Sequence, residues 1–566
     1  MRRTVLAAAL VLALGACSPP SSSPPQAATP TAAAPASAAS AGPVDAAAFA
    51  RHLKKLSSDE FEGRKPGSLG ERLTTAYLKD QFEQLGLKPG NQGSWFQSVP
   101  ITEIDLANRD VALQVAVGGG AESFAYKTDM IVGNLSAKPE VVLKDSDVVF
   151  VGYGVNAPEQ DWNDYAGLDV KGKTVIVLVN DPGWGNQDPS LFKGRTMTYY
   201  GRWTYKFEEA ARQGAAACFI VHDTDGAGYP WEVVENSWSG PQFDLPTSED
   251  PAPRLDVAGW LTGEAARRLF TKAGLDFDAV RKGADVRGFK PVPLKAKASV
   301  TLHSTVQSGT SDNVVAVLPG SERADETVVY SAHWDHLGKD SSLQGDQIYN
   351  GAVDNGTGVA GLLALAEAFA RQQPRPARSV VFAAVTLEES GLLGSKYYAT
   401  HPPFPLARTV ADINMDAAYP IGRSRNMAVV GYGQSQMDDL LKSALAAQGR
   451  SITPEESPEK GHFFRSDHFN FACKGVPALY AKGGADLVDG GVAAGKAAID
   501  DYTRHRYHKP GDEYREDMKL DGIVEDLNAL YAVGKDLAAG TAWPQWSADS
   551  EFRAAREASQ ASQAAK

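Results

Sequence analysis

The chain has 566 residues, of which 43% are hydrophobic and 22% are charged, enough for a globular protein of two or more domains. Its formal net charge of −13 argues against the basic surface that nucleic-acid binding requires, so we expect no nucleic-acid partner. Beyond the N-terminus, no apolar run approaches the roughly 20 residues that a membrane-spanning helix needs.

Residues 1–17 have the organisation of a signal peptide. Two arginines precede the apolar stretch Val5–Leu14, and small residues follow up to Cys17. The sequence Leu-Gly-Ala-Cys at this point resembles a bacterial lipobox, which implies cleavage before Cys17 and lipidation of its thiol. We therefore expect a lipid-anchored protein of a Gram-negative cell envelope, at the outer membrane (since Ser18 follows) or the periplasmic face. The alternative is an ordinary signal peptide in which Cys17 is incidental.

The other cysteines do not indicate a disulfide framework. Only Cys218 and Cys473 remain besides Cys17, and they lie far apart in the sequence. Cys218 lies in an apolar run that predicts a buried strand, and Cys473 is expected to be another small core residue.

The composition changes along the first half of the chain. Residues 18–44 are almost entirely Ser, Pro, Ala, Gly, Gln and Thr, which predicts a disordered linker. Helical spacing follows in Ala46–Leu56 and Leu69–Leu85. From 131 to 290 the pattern is one of short strands rich in glycine and aromatic residues, which indicates a separate β-rich domain.

Strands and helices alternate after residue 310, which predicts a mainly parallel sheet with helices on its faces. We expect a helix at Val359–Arg371 between strands, and further strands at Ser379–Thr386 and Thr409–Met415. The last helix is expected at Leu520–Leu537, and the C-terminal tail, residues 541–566, is expected to be loose after Trp546.

Several of these elements begin or end at residues that can bind a metal ion. These metal-binding residue types are His333, Asp335, Asp354, Glu388, Glu389, Asp416 and His508. Taken alone, Asp354 has an alternative interpretation as a turn or helix-cap residue, and the paired glutamates could interact with a helix dipole. Taken together, so many carboxylates at the ends of strands in one sheet need a cation to neutralise them. Zinc binds imidazole nitrogen and carboxylate oxygen, and two metal ions can share a bridging carboxylate.

The motifs that carry these residues resemble the M28 family of co-catalytic zinc peptidases, which are mostly aminopeptidases. The motifs are His333-x-Asp335, Asp354-Asn355, Glu388-Glu389, Asn414-x-Asp416 and Tyr507-His508-x-Pro510. The resemblance covers about 45–540 and implies the zinc-peptidase fold, a mixed α/β fold with a mainly parallel sheet sandwiched by helices. Residues 45–130 would be the N-terminal part of the peptidase domain and 291–540 its catalytic part. Residues 131–290 resemble an inserted protease-associated (PA) domain, on the sequence Tyr165–Val177.

The resemblance implies a role for each matching position. One Zn²⁺ would be held by His333 and Asp416 and a second by Glu389 and His508, with Asp354 bridging the two ions. A cis peptide is implied after the bridging residue, between Asp354 and Asn355.

The family also implies roles for residues around the two ions. Asp335 would orient the ring of His333, Glu388 would be the general base, and Tyr507 would donate a hydrogen bond to the oxyanion. Arg465 and His468 belong to a motif on the substrate side. For His468, packing in the interior is an equally supported alternative, and His336 is expected to lie behind the ligands or to be structural.

The function implied is hydrolysis of N-terminal residues from peptides by a metallo-aminopeptidase. Three alternatives stay open: a carboxypeptidase or dipeptidase of the same fold, a glutaminyl cyclase, and a binding protein that has lost catalysis. A carboxypeptidase should place arginines around the substrate carboxylate, and Arg465 is the one candidate that the sequence offers. Two expected loops, Lys339–Asp346 and Gly483–Asp501, together with the PA domain would restrict the pocket to small peptides. The sequence does not indicate an oligomeric state.

Overall fold

The computed structural model describes residues 42–108 and 110–564. The predicted signal peptide, Cys17 and the linker up to residue 41 lie outside the described residues. Within the described ranges, no helix is both long enough and apolar enough to cross a membrane.

The helices alternate with strands in the second half of the chain, as the sequence predicts. The α-helices are Ala46–Leu56, Leu69–Gln84, Pro182–Asn186, Trp203–Arg212, Thr224–Ala227, Trp231–Trp238, Gly263–Lys272, Phe277–Ala284, Thr357–Arg371, Leu393–Thr400, Met437–Ala447, His468–Cys473, Gly491–His505, Asp521–Ala539 and Arg553–Ala564.

The first sheet is mixed: its central strands are parallel, and antiparallel pairings lie on both sides of them. In spatial order its strands are Ser451–Pro454, Asn426–Val430, Ala478–Gly483, Thr409–Asn414, Arg323–His333, Arg378–Val385, the C-terminal part of Val292–Leu318 (which also pairs with the short strand Lys88–Pro89), Phe96–Leu106 and Gln242–Asp244. The strands from 478–483 to 378–385 run parallel to one another. The predicted fold class, a mixed α/β fold with helices on both faces of the sheet, is confirmed.

Alternating residues of the central strand pack on opposite faces of the first sheet. Val328 and Tyr330 belong to the core under the helices Thr357–Arg371 and Asp521–Ala539. Val329 lies on the other face, in a smaller core that the short helices around Tyr398 and Phe471 cover. Because side chains alternate with a period of two, a strand covered on both faces is apolar throughout, which is why these strands could be found from sequence.

The second sheet has its own hydrophobic core, built from residues between Leu106 and Leu302. Its strands are Ala112–Val117, Gly120–Ala125, Met130–Gly133, Glu140–Phe150, Thr174–Leu178, Ala217–Val221, Val257–Leu261 and the N-terminal part of Val292–Leu318. Two of these strands, Ala112–Val117 and Gly120–Ala125, lie before residue 131. They pair with each other, and Ala112–Val117 also pairs with Val292–Leu318. The assignment of this sheet to a PA domain stays a prediction.

The long strand Val292–Leu318 belongs to both sheets. His303 pairs with Glu140 in the second sheet, and the adjacent Ser304 pairs with Leu106 in the first. A single continuous strand therefore connects the two cores without a linker.

The prediction of a loose C-terminal tail is wrong. Arg553–Ala564 is a helix, and Arg556 is 1% exposed. Its guanidinium donates hydrogen bonds to the carbonyl oxygens of Leu406 and Thr409, at 3.1 and 2.9 Å. The alanine-rich composition of the tail does not predict these contacts, because they come from one arginine and not from an apolar stripe.

Two smaller expectations also fail. The stretch expected to be a loop at 483–501 contains most of the helix Gly491–His505, since its alanines favour helix where glycines alone would not. Cys473 is exposed at the end of its helix and is not a core residue. Cys218 is fully buried in the second sheet, as predicted.

Candidate metal centre

The candidate site lies where the central parallel strands of the first sheet end. His333 is the last residue of its strand, Glu388 follows the neighbouring strand Arg378–Val385, and Asp416 follows the strand on the other side, Thr409–Asn414. The carboxyl ends of parallel strands meet at one edge of a sheet. The three side chains therefore converge although up to 83 residues separate them in the sequence.

One group of donors surrounds His333. Its Nε2 lies 3.4 Å from Oδ1 of Asp354 and 3.4 Å from Oδ1 of Asp416. His333 and Asp354 are buried. These three side chains were all predicted as metal ligands, and their donor atoms lie close enough to hold one ion.

A second group meets the other oxygen of Asp354. His508 Nε2 lies 3.1 Å from Oδ2 of Asp354 and 3.1 Å from Oε2 of Glu389. Asp354 thus presents Oδ1 to the first group and Oδ2 to the second, which is the arrangement that a bridging carboxylate requires. The peptide between Asp354 and Asn355 is cis, as the resemblance implies.

His336 contacts the second group from behind. Its Nδ1 lies 2.6 Å from Oε1 of Glu389, and its side chain is fully buried. His336, Asp354 and Glu389 also lie close enough to hold one ion. The sequence leaves His336 behind the ligands or in a structural role, and its contact with Glu389 agrees with the first of these.

The spacing and chemistry of the donors fit zinc. Donors about 2.0–2.1 Å from one tetrahedral Zn²⁺ are about 3.3 Å apart, and the two groups have donor separations of 3.4 and 3.1 Å. Burial alone would raise the pKa of Asp354, but hydrogen bonds with His333 and His508 hold it well below its usual value. Against burial, His508 and His336 lower the pKa of Glu389 to about 2. Ionised carboxylates beside imidazoles are the donor set that zinc prefers.

Asp335 contacts the glutamate pair through its carboxylate. Its Oδ1 and Oδ2 accept hydrogen bonds from the backbone N–H groups of Glu388 and Glu389, at 3.2 and 3.4 Å. His333 Nδ1 lies 3.3 Å from the backbone carbonyl of Asp335 and 3.7 Å from its carboxylate. The ring is therefore held by the peptide oxygen, and the carboxylate fixes the turn that carries the two glutamates.

Glu388 lies beside the donor groups and is not part of them. Its Oε2 lies 3.9 Å from His333 Nε2. Burial, together with the negative charges of Asp416 and Glu389, raises the pKa of Glu388 well above its usual value. A carboxylate with a raised pKa in a pocket is suited to accept a proton and release it again.

Tyr507 lies at the mouth of the site. Its ring stacks on His508, with centroids 3.9 Å apart, and its side chain is 41% exposed. Within the described part of the chain, no residue forms a hydrogen bond with the Tyr507 hydroxyl. This hydroxyl is therefore free to contact a substrate.

The two residues predicted on the substrate side are placed differently. Arg465 is half-buried and faces the second sheet, where its Nη2 donates a hydrogen bond to the carbonyl oxygen of Ala227 at 3.1 Å. His468 is fully buried, with its ring against Phe463 and Tyr480 at 4.6 and 5.1 Å between centroids. This packing favours the interior alternative for His468.

Sequence reasoning missed two residues that support the centre. Asp512 accepts hydrogen bonds from the backbone N–H groups of Val353 and Asp354, at 3.0 Å each, and so fixes the segment that carries Asp354. Tyr480 donates a hydrogen bond to the backbone carbonyl of Asp416 at 3.2 Å. Asp512 follows His508 by four residues, and that proximity is the one sequence signal that could have found it.

Arg64 connects the loops around the site, and no sequence motif indicates this role. The side chain is 1% exposed and donates to four carbonyl oxygens at 2.6–2.9 Å, those of Leu56, Trp334, Asn350 and Gly351. Because Trp334 and Gly351 flank the positions of Asp335 and Asp354, one guanidinium holds both loops in register.

Replacing Arg64 by lysine is expected to lower the free energy of unfolding by about 3 kcal/mol, because a buried unsatisfied carbonyl costs about 1–3 kcal/mol and one ammonium cannot reach all four. Denaturant titration followed by tryptophan fluorescence measures the change. The matched control is Arg72→Lys, at an exposed arginine nearby, which should stay within about 0.5 kcal/mol of the parent. Equal stability of both variants would contradict the role assigned to Arg64.

Comparison with known proteins points to the same half of the chain. Residues 313–531 match the model of Peptidase family M28. All of the predicted metal ligands and Glu388 lie within this matched segment. Mouse aminopeptidase NAALADL1 is 32% identical over 175 residues, 29% of this chain and 22% of that protein. A probable zinc metalloprotease of Pyrenophora teres f. teres is 38% identical over 227 residues, 38% of this chain and 42% of that protein.

Solved structures also resemble the chain over most of its length. The aminopeptidase from Aneurinibacillus sp. strain AM-1 superposes with a TM-score of 0.49 and 20% sequence identity, covering 88% of this chain and 94% of that one. The chain spans less than half of the length of the two curated relatives described above, 22% and 42%.

Proposed function

We propose that the chain is a zinc-dependent aminopeptidase that uses two Zn²⁺ ions to hydrolyse the N-terminal peptide bond of peptides. The observation that carries the proposal is Asp354, whose two oxygens face separate histidine–carboxylate groups beside Glu388. The family match of residues 313–531 and the printed names of the relatives, an aminopeptidase and a probable zinc metalloprotease, support it.

His333 and Asp416 would hold one ion, Glu389 and His508 the other, and Asp354 would contact both. When bound, zinc supplies acidification of water and polarisation of the scissile carbonyl. A glutaminyl cyclase would use one ion, and the second donor group, His508 with Glu389, argues against that alternative.

The chain's own residues then move the proton. Glu388 takes a proton from the attacking water and passes it to the leaving amine as the carbon–nitrogen bond breaks. The raised pKa of Glu388 suits this double role, since the group has to bind the proton between the two transfers. Tyr507, stacked on His508 at the mouth, would donate a hydrogen bond to the oxyanion.

The setting of the enzyme follows from the N-terminal sequence. We propose that Cys17 carries the lipid that holds the protein at the cell envelope, and that peptides in the periplasm or at the outer membrane are its substrates. The second sheet would be a PA domain inserted in the peptidase chain.

A panel of matched peptides tests the proposed activity. Peptides with a free N-terminus should be cleaved at least about 100-fold faster than their N-acetylated forms, and a chelator should abolish cleavage until Zn²⁺ is restored. Product analysis by mass spectrometry should show release of single N-terminal residues. Equal cleavage of free and acetylated peptides would rule out an aminopeptidase, and release of C-terminal residues would support the carboxypeptidase alternative.

A further inference from the structure

Arg202 is a buried cation without a counter-ion. It precedes the helix Trp203–Arg212 on the second-sheet side of the protein and is 8% exposed. Among the residues that the structure describes, none forms an ion pair or a hydrogen bond with its guanidinium, and Nε is buried without a partner. Its one close aromatic contact is the ring of Trp203, at 5.8 Å. Burying an unpaired charge is costly, so this arrangement requires an explanation.

Arg465 lies beside Arg202 and is also incompletely paired. Its guanidinium lies 5.1 Å from the ring centre of Tyr229, Nη2 donates to Ala227, and Nε is buried without a partner in the described part of the chain. Burial first, and then the like charge of Arg465, lower the pKa of Arg202 to about 10. Two guanidiniums are thus held together against their repulsion.

The contact between the segments that carry the two arginines is well packed. The ring of Tyr199 lies 5.8 Å from that of Phe464 and 5.1 Å from that of Phe469. The backbone N–H of Met197 donates to the carbonyl oxygen of Pro458 at 3.1 Å. Aromatic packing between the two segments therefore fixes the relative position of Arg202 and Arg465.

The segment that carries Arg465 contacts a strand that ends at the candidate metal centre. Ser466, next to Arg465, accepts a hydrogen bond from Asn414 at 2.7 Å, and Asn414 is two residues from Asp416. At Arg202, the negative charge of Glu388 partly opposes the lowering of the pKa that burial and Arg465 cause. The packing of Tyr199 on Phe464 brings Arg202 to the same region, within electrostatic range of Glu388.

We propose that Arg202 and Arg465 together bind a carboxylate of the peptide substrate. This inference rests on the proposed peptidase function and adds the substrate class: peptides that carry a carboxylate near the cleaved bond. A guanidinium pair matches a carboxylate through charge-assisted, bidentate hydrogen bonds. The carboxylate is either the C-terminus of a dipeptide or tripeptide, or an acidic side chain following the cleaved bond.

The proposal assigns a role to the domain of the second sheet. Arg202, Ala227 and Tyr229 all come from that domain, whereas the metal donors come from the first sheet. The domain completes the substrate site because it supplies the buried charge of Arg202 and the surface that positions Arg465. Sequence reasoning found one arginine only, because Arg202 lies 263 residues before Arg465 in a segment with no catalytic motif.

Matched peptides separate the possible carboxylates. The substrates are leucyl-alanyl-alanine, its C-terminal amide, and leucyl-glutamyl-alanine amide, with leucine 4-nitroanilide as a reference without a carboxylate. The parent enzyme should have a kcat/KM for the preferred carboxylate peptide about 10- to 100-fold above that for the neutral amide, the range expected for hydrogen bonds to a charged group. Preference for the first peptide identifies the C-terminus, and preference for the third identifies the acidic side chain.

Variants then assign the preference to the pair. Arg202→Gln and Arg465→Gln should each reduce the ratio of carboxylate to amide kcat/KM by about tenfold or more, with Arg202→Lys in between. Arg195→Gln, at an exposed arginine of the same segment, is the matched control and should leave the ratio unchanged. Melting temperatures identify a misfolded variant. If the variant at one arginine is misfolded, the variant at the other arginine tests the proposal.

Three outcomes would overturn the inference. Equal rates for acid and amide peptides in the parent enzyme would show that no carboxylate is recognised. An equal loss of kcat/KM on all substrates in the two arginine variants, including the nitroanilide, would show that the arginines act on the catalytic groups. A reduced ratio in Arg195→Gln would show a general charge effect. If no peptide is cleaved at all and a chelator changes nothing, the proposed function itself fails.

Discussion

Replacing Asp354 by alanine is expected to remove bound zinc and to reduce peptide hydrolysis by at least about 1000-fold. The reason is that Asp354, alone among the residues that the structure describes, contacts both donor groups, through Oδ1 to His333 and Oδ2 to His508. Loss of the metal ions forfeits several kcal/mol of transition-state stabilisation, and each 1.4 kcal/mol is about tenfold in rate. Elemental analysis of the purified protein should fall from about two zinc ions per chain to less than one.

The matched control is Asp346→Ala, an exposed aspartate in the loop before the site. It should keep full zinc content and activity. Full zinc content in Asp354→Ala would contradict the bridging role. His336→Ala, in a parallel measurement, decides between the two histidines of the second group. If it loses zinc as fully as His508→Ala, His336 is a ligand and does not only support Glu389.

The strands of the first sheet and the convergence of the candidate metal donors could be predicted because their signal is local. Strands such as Arg378–Val385 are apolar along their whole length, and Glu388 and Glu389 follow at once. Sequence position then specifies spatial position, since parallel strands end at one edge. The same local reasoning located His333 and Asp416.

The supporting residues could not be predicted because their partners are distant in sequence. Three of the carbonyl oxygens that Arg64 contacts lie 270 to 287 residues away, and Asp512 accepts from backbone N–H groups 158 and 159 residues before it. Neither residue has a motif, and backbone carbonyls leave no trace in a sequence. The resemblance implies that Asp335 orients the ring of His333. In the structure its carboxylate lies 3.7 Å from Nδ1 of that ring and also accepts hydrogen bonds from the backbone of Glu388 and Glu389, contacts that only the folded turn creates.

The pair Glu388 and Glu389 shows how far adjacent identical residues can differ in environment. Burial and nearby negative charges raise the pKa of Glu388 well above its usual value, whereas two histidines lower that of Glu389 to about 2. Two carboxylates whose environments separate their pKa values in this way are suited to different tasks. The proposed proton carrier, Glu388, and the proposed metal ligand, Glu389, are therefore distinguishable by experiment.

Replacing Glu388 by glutamine should lower kcat by about 100- to 10,000-fold while zinc content stays unchanged, because general acid–base catalysis is lost and no metal donor is removed. Glu389→Gln is the matched variant, with the same chemical change one residue away, and it should lose zinc together with activity. Metal analysis and steady-state kinetics on a single preparation of each variant separate the two results. Retention of more than about a tenth of kcat in Glu388→Gln would show that another group carries the proton, since removal of the essential base costs at least about 100-fold. Loss of zinc in that variant would instead place Glu388 among the ligands, and the general base would then have to be sought elsewhere in the pocket.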